Sequence, residues 1–222
     1  MILDLEKIKD EVLNYNEEYY SQLKQDVLAL VLYKYKKNGF FVEFGACDGI
    51  KLSNTLLLEK KYQWNGILAE PCVSYNILLE KNRSSIIDKR AVFGTSHQLL
   101  NFKEVIEPSL SGIESFFARD KHSKVRKKGI TYQVTTVSLF DLLEQNNSPE
   151  VIDYLSVDTE GSEFDILKNF NFNSKYQIKL ITIEHNFIKD NRERLKNLLE
   201  ENQYIRILPK ISKWDDWYIR GF

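Results

Sequence analysis

The chain has 222 residues, 43% of them hydrophobic, which is enough for one well-buried core. Its 31 Lys and Arg nearly balance its 32 Asp and Glu, and a net charge of −1 argues against a dedicated, globally basic nucleic-acid binder. The two cysteines, Cys47 and Cys72, are too few for a secreted disulfide framework and point to a reduced, cytoplasmic setting.

The first ten residues alternate in charge and lack an apolar segment, so no signal peptide is expected. Residues 4–37 read as one or two helices. Val27, Leu28, Leu30, Val31 and Tyr35 recur at helical spacing, with lysines at the far end where the helix dipole favours them. The apolar run within this stretch is far too short to cross a bilayer.

Phe40–Phe44 is short, aromatic and β-branched, which predicts a buried strand. It carries Glu43 and leads into Gly45-Ala46-Cys47-Asp48-Gly49, where the two glycines permit positive φ and close approach of a ligand to the backbone. Ser53, Asn54 and Thr55 follow, and Ser53 or Asn54 is a candidate cap for the next helix. A dinucleotide-binding turn needs a glycine where Cys47 stands, so NAD is disfavoured. An acid beside this turn, Asp48, would repel a pyrophosphate and attract a sulfonium. The pattern therefore suits S-adenosyl-L-methionine.

A second acid, Glu70, closes the next apolar run roughly twenty to twenty-five residues after the turn, where a carboxylate can accept hydrogen bonds from ribose hydroxyls. Pro71 stops that strand because it cannot donate to the ladder. Further along, a helix over residues 74–82, a strand over 86–93, and the later strands 153–158 and 179–184 continue a βαβ alternation that predicts a parallel sheet. Residues 98–105 and 131–137 read as strands of a hairpin-like insertion. The basic run 119–128 inside it is either a solvated face or an attractor for an anionic acceptor such as a phosphorylated sugar. Residues 204–208 and 217–220 are expected to finish the sheet as an antiparallel pair. No repeat or linker divides the chain. It is read as a single domain, with residues 1–38 a helical segment packing on a core formed by 39–222.

The motifs VEFGACDG, SNT, LLLEK, WNGILAEP and KNR over residues 40–83, with YLSVDTEGSE over 154–163, resemble the FkbM family of methyltransferases. The resemblance covers most of the chain. Cys47 departs from it, since family members often carry asparagine or another small polar residue there.

The resemblance implies an α/β, Rossmann-like class I methyltransferase fold: a mostly parallel seven-stranded sheet, helices on both faces, and an insertion after the third strand. It implies S-adenosyl-L-methionine as cofactor, bound by Glu43, Gly45, Ala46, Cys47, Asp48, Gly49, Ser53, Asn54, Thr55, Glu70, Pro71, Ala91 and Asp158. It also implies that the amino-terminal helical segment packs beside the sheet and covers the cofactor, with Ser21, Gln22, Gln25 and Asp26 near the site, and that the acceptor is a hydroxyl of a sugar or another small metabolite in glycan or natural-product biosynthesis.

For the chemistry, His185 is the first candidate general base by its intrinsic pKa, with Asp158 and Glu160 as the next candidates or as orienting groups. A hard cation on Asp158, Glu184 and Glu160 is the alternative, but no metal-ligand spacing supports it and no metal is expected. N-methylation and a non-catalytic binding module on the same fold remain open.

Overall fold

The computed structural model describes residues 3–119, 126 and 128–221. The amino-terminal segment forms two helices, α1 (Leu5–Asn14) and α2 (Gln25–Leu32). After it come β1 (Phe40–Phe44), α3 (Leu56–Tyr62), β2 (Asn65–Ala69), α4 (Val73–Asn82) and β3 (Ile86–Asp88). Four strands then build a separate sheet: β4 (Ala91–Val92), β5 (Leu99–Val105), β6 (Gly112–Ile113) and β7 (Gly129–Val137). The chain returns to the main sheet through α5 (Leu139–Gln145), β8 (Val151–Val157), α6 (Glu163–Leu167), β9 (Gln177–Glu184), α7 (Lys189–Glu201), β10 (Ile205–Ile207) and β11 (Asp215–Ile219).

The main sheet has the order β10-β11-β9-β8-β1-β2-β3. Strands β3, β2, β1, β8 and β9 pair in parallel, whereas β11 runs antiparallel to both β9 and β10. The sheet is thus mixed, because β11 is threaded between β9 and β10 and reverses both pairings. Alternation along β1 divides the core. Val42 and Phe44 pack on one face with Leu142, Ile166 and Leu195 from α5, α6 and α7, while Phe41 packs on the other with Leu28, Leu30 and Leu58 from α2 and α3. The near-continuous apolar sequence of β1 follows from this burial on both faces. The chain leaves β1 for β2 and β3 on one side and later returns beside β1 as β8, making the β1–β8 junction the topological switch point where open α/β sheets bind ligands.

The strand expected over residues 86–93 is two strands in different sheets. The Asp88 carboxylate accepts from the Arg90 backbone N–H at 2.9 Å and from its guanidinium at 2.6 Å, folding the chain back on itself between β3 and β4. Strand β4 then pairs with β7, and β5 with β7 over seven residues, so the insertion is a four-stranded sheet in the order β4-β7-β5-β6.

The α2–β1 connection is tied to the sheet through Asp153. Its carboxylate accepts from Lys36 Nζ at 2.8 Å and from the Phe40 N–H at 2.9 Å, and its carbonyl accepts from Tyr33 Oη at 2.5 Å. No described helix is long and apolar enough to cross a membrane.

Candidate active site

A cleft of about 330 Å³ opens at the carboxyl ends of β1, β2, β8 and β9. Its floor is the turn after β1. Gly45 has φ +77°, and a Cβ there would lie 2.0 Å from the Asp158 carbonyl oxygen, so only glycine fits. The Gly45 N–H donates to the Ala69 carbonyl at 3.0 Å, and the Cys47 N–H donates to Glu70 Oε2 at 2.8 Å. Glu70 Oε1 accepts from the Cys72 N–H at 2.8 Å. Each oxygen thus has one backbone donor and keeps acceptor capacity directed at the cleft it lines. Burial raises the Glu70 pKa to about 7 despite those two bonds. The same burial, with Glu70 and Asp158 nearby, pushes the Cys47 thiol well above its ordinary value, so Cys47 is not a thiolate nucleophile.

Of the expected cofactor residues, Glu43, Gly45, Ala46, Cys47, Ser53, Asn54, Glu70, Pro71, Ala91 and Asp158 line this cleft. Asp48, Gly49 and Thr55 do not. Asp48 turns onto its own loop, where Oδ1 accepts from the N–H groups of Ile50 at 2.9 Å and Lys51 at 2.8 Å. Gly49 backs onto Arg83 and Leu79, and Thr55 is fully buried.

Glu43 is committed to the same loop. It accepts from the Asn54 N–H at 2.7 Å, Thr55 Oγ1 at 2.5 Å and Ser53 Oγ at 3.2 Å, and lies 3.7 Å from Arg83 Nη1. Arg83, from the KNR motif, has a role that no local sequence signal marks. Its guanidinium joins Glu59 at 2.8 Å, Ser53 Oγ at 3.1 Å and Thr55 Oγ1 at 2.9 Å, locking the loop beneath the cleft.

The far end of the cleft is acidic. Asp158, Glu160 and Glu184 each present a carboxylate oxygen, all within 4.8 Å of one another, the one such group among the described residues able to hold a metal ion. Burial raises all three pKa values; repulsion from Asp158 adds to the rise at Glu160 and Glu184, while Asp215 and Glu163 add to it at Asp158. The Arg126 guanidinium, stacked 4.5 Å from the Phe117 ring, pairs with Glu160 and partly offsets the rise. Burial also raises Asp215 to about 7, while Gln25 Nε2 donates to its carboxylate at 2.8 Å.

Gln25 and Gln22 line the cleft, and Ser21 bridges to Leu52 in the loop after β1. Asp26 instead faces inward, accepting from Ser21 Oγ at 2.5 Å and the Tyr20 N–H at 2.9 Å. Tyr75, Phe102, Trp214 and the 109–113 segment complete the lining, none of them signalled by a motif.

His185 does not line the cleft. Successive residues at a strand end point to opposite faces. Glu184 is in register with Asp215, and His185 turns to the other side, with Nε2 3.9 Å from Asp216 Oδ1. Its Nδ1 accepts from the Phe187 N–H at 3.0 Å, and burial lowers its pKa. In the basic run, Arg126 is buried against Glu160, while residues 120–125 and 127 lie outside the described residues.

Among solved structures, the chain is similar to the precorrin-6y C5,15-methyltransferase from Geobacter metallireducens GS-15, with 12% identity and a TM-score of 0.44 over 89% of this chain and 78% of that one. It is also similar to a chain of a fibrillarin/Nop5p complex, with 12% identity and a TM-score of 0.41 over 94% and 89%. No curated protein matches the chain by sequence. The model of the methyltransferase FkbM domain matches residues 43–216, most of the chain, and the protein belongs to that family of methyltransferases.

Proposed function

We propose that the protein transfers a methyl group from S-adenosyl-L-methionine to a hydroxyl of a small acceptor, a sugar or related metabolite, on a Rossmann-like class I methyltransferase fold. The observation that carries the reading is Glu70: a carboxylate held by two backbone N–H groups at the end of β2, facing the glycine turn across one acid-lined cleft. Such a carboxylate suits a pair of ribose hydroxyls. Buried acids without enough cationic partners are costly, and a cationic guest relieves that cost. The cofactor supplies an electrophilic methyl group on a sulfonium.

The chain's own residues do the rest. Glu70 and the Gly45–Cys47 backbone hold and orient the nucleoside end, and Phe102, Tyr75 and Ala91 wall it from water. Asp158, raised by burial to about 7, stands at the other end beside Glu160 and Glu184, and its carboxylate is suited to accepting the proton of an acceptor hydroxyl near neutral pH. This gives the base role to carboxylates and a wall position outside the cofactor cleft to His185.

A thermal-shift comparison tests the reading. S-adenosylhomocysteine at a hundred times its Kd adds about 2.7 kcal/mol, and each kcal/mol raises the Tm of a chain this size by about 2–4 °C. A shift with NAD and none with S-adenosylhomocysteine contradicts it.

A further inference from the structure

The two aspartates that open β11 point to opposite faces of the sheet and meet different neighbours. Asp216 faces α7, where Arg192 donates to both of its oxygens at 2.8 Å. Asp215 shares its face with Trp217, which packs in the cluster of Leu28 and Leu30 from α2. No Lys or Arg among the described residues pairs with Asp215; its partner is the uncharged amide of Gln25. A buried carboxylate without a cation is costly, and this one lines the cleft. We infer that Asp215 holds the methyl acceptor, accepting a hydrogen bond from a second hydroxyl beside the one that is methylated, and that Gln25 is the positioning residue that aims it; the acceptor is then a polyhydroxylated small molecule, a sugar ring in its simplest form, and the inference rests on the methyltransferase reading above.

The sheet separates this carboxylate from the nucleoside end of the cleft. Glu70 follows β2 and Asp215 opens β11, with β1, β8 and β9 between them. Four strand spacings amount to about 19 Å. Asp215 is in register with Glu184, the last residue of β9, so it stands on the rim to which the parallel strands point. Asp158 follows β8, between the two ends, and the charge of Asp215 reaches it. A methyl donor seated with its ribose on Glu70 therefore meets an acceptor on the β9–β11 side, with one hydroxyl at Asp158 and another at Asp215.

The geometry around Asp215 is fixed before any acceptor arrives. Gln25 Oε1 accepts from the Leu23 N–H at 2.7 Å, which settles the orientation of the amide, and Nε2 donates to Asp215 Oδ2 at 2.8 Å. The start of β11 is fastened as well. The Trp214 carbonyl accepts from the N–H groups of His185 at 2.9 Å and Asn186 at 3.3 Å, and the Asp215 N–H donates to the Ser212 carbonyl at 2.8 Å. A carboxylate has roughly four acceptor sites, so even with the Trp217 indole close by, Asp215 keeps capacity for a ligand hydroxyl. Hydrogen bonds to an ionised acceptor of this kind are the strong ones.

The test uses the full chain saturated with S-adenosylhomocysteine, titrated calorimetrically with the methyl glycosides of glucose, galactose, mannose and fucose as neutral probes. At least one glycoside is expected to bind. Asp215→Asn, which keeps an oxygen for the Gln25 donor and removes the charge, should weaken that glycoside at least about tenfold and leave S-adenosylhomocysteine affinity within about threefold. Gln25→Ala should weaken the glycoside by about three- to tenfold, and should cost nothing further in the Asp215→Asn background, the coupling expected if Gln25 acts through the carboxylate. A merely structural amide would give equal losses in both backgrounds. Binding of none of the glycosides, an Asp215→Asn variant that loses S-adenosylhomocysteine as much as glycoside, or independent losses from the two substitutions would each overturn the inference. If urea unfolding shows that Asp215→Asn does not fold, Gln25→Ala alone decides, and unchanged glycoside affinity in it overturns the inference. Failure of S-adenosylhomocysteine to bind the wild type is a separate result, and it removes the methyltransferase reading along with the inference.

Discussion

The backbone N–H of Cys47 donates to Glu70 Oε2 at 2.8 Å, joining the turn that ends β1 to the acid that ends β2. The bond fixes where the carboxylate points, and it makes the glycine turn and Glu70 one structural unit on the wall of the cleft.

A pH dependence follows from this pair. Burial raises Glu70 from 4.5 to about 7, and ribose hydroxyls donate best to its ionised form. Affinity for S-adenosylhomocysteine should fall by up to about tenfold per pH unit below 7. Calorimetry in buffers of different ionisation enthalpy should record proton release on binding. Without ligand the sign reverses. Between 4.5 and about 7 the folded state holds more protons than the unfolded chain, so Glu70's contribution to stability declines as pH rises through that window.

Gly45→Ala should destabilise the chain by about 1–3 kcal/mol and abolish cofactor binding, since φ is +77° and the new methyl would meet the Asp158 carbonyl. Urea unfolding measures the first effect and S-adenosylhomocysteine titration the second. An alanine variant with wild-type affinity would mean that the turn is not the floor of the site.

Arg83→Met should cost about 3–5 kcal/mol, because it strands Glu59 and the buried Glu43 without their shared cation. Denaturant unfolding reads the loss. A double variant that also carries Glu43→Gln should recover part of it, as expected if the penalty is an uncompensated charge.

Glu184→Gln should lower kcat by about 10²–10⁴-fold if the acidic group removes the acceptor's proton. His185→Ala should leave kcat within a few fold of the wild type, because its ring lies outside the cleft and faces Asp216. Release of S-adenosylhomocysteine, with any acceptor the wild type turns over, distinguishes the two. A His185→Ala variant that lost kcat at unchanged KM would restore the imidazole as base.

Much of this architecture is legible in the sequence because local signals coincide. Phe40–Phe44 is apolar but for Glu43 and forms the middle one of the five parallel strands, and Pro71 follows β2 with Glu70 at its tip. Asp48 is not legible, because an aspartate beside a turn can face a ligand or cap its own loop, and here the N–H groups of Ile50 and Lys51 claim it. His185 has the right chemistry but the wrong parity for the cleft, one residue past Glu184. The Gln25–Asp215 contact joins residues 190 positions apart, beyond the reach of any local pattern. The reversed β11 and the break at Asp88 likewise depend on tertiary pairing and on one side chain turning back on its own backbone.

Calorimetric titration of S-adenosylhomocysteine into wild type and Glu70→Ala puts the account to its most direct test. Binding to the wild type, with a loss of at least about tenfold in the folded variant, is the predicted result, since two hydrogen bonds to a charged group are removed at about 1.5–3 kcal/mol each. Equal affinity for both proteins would contradict it.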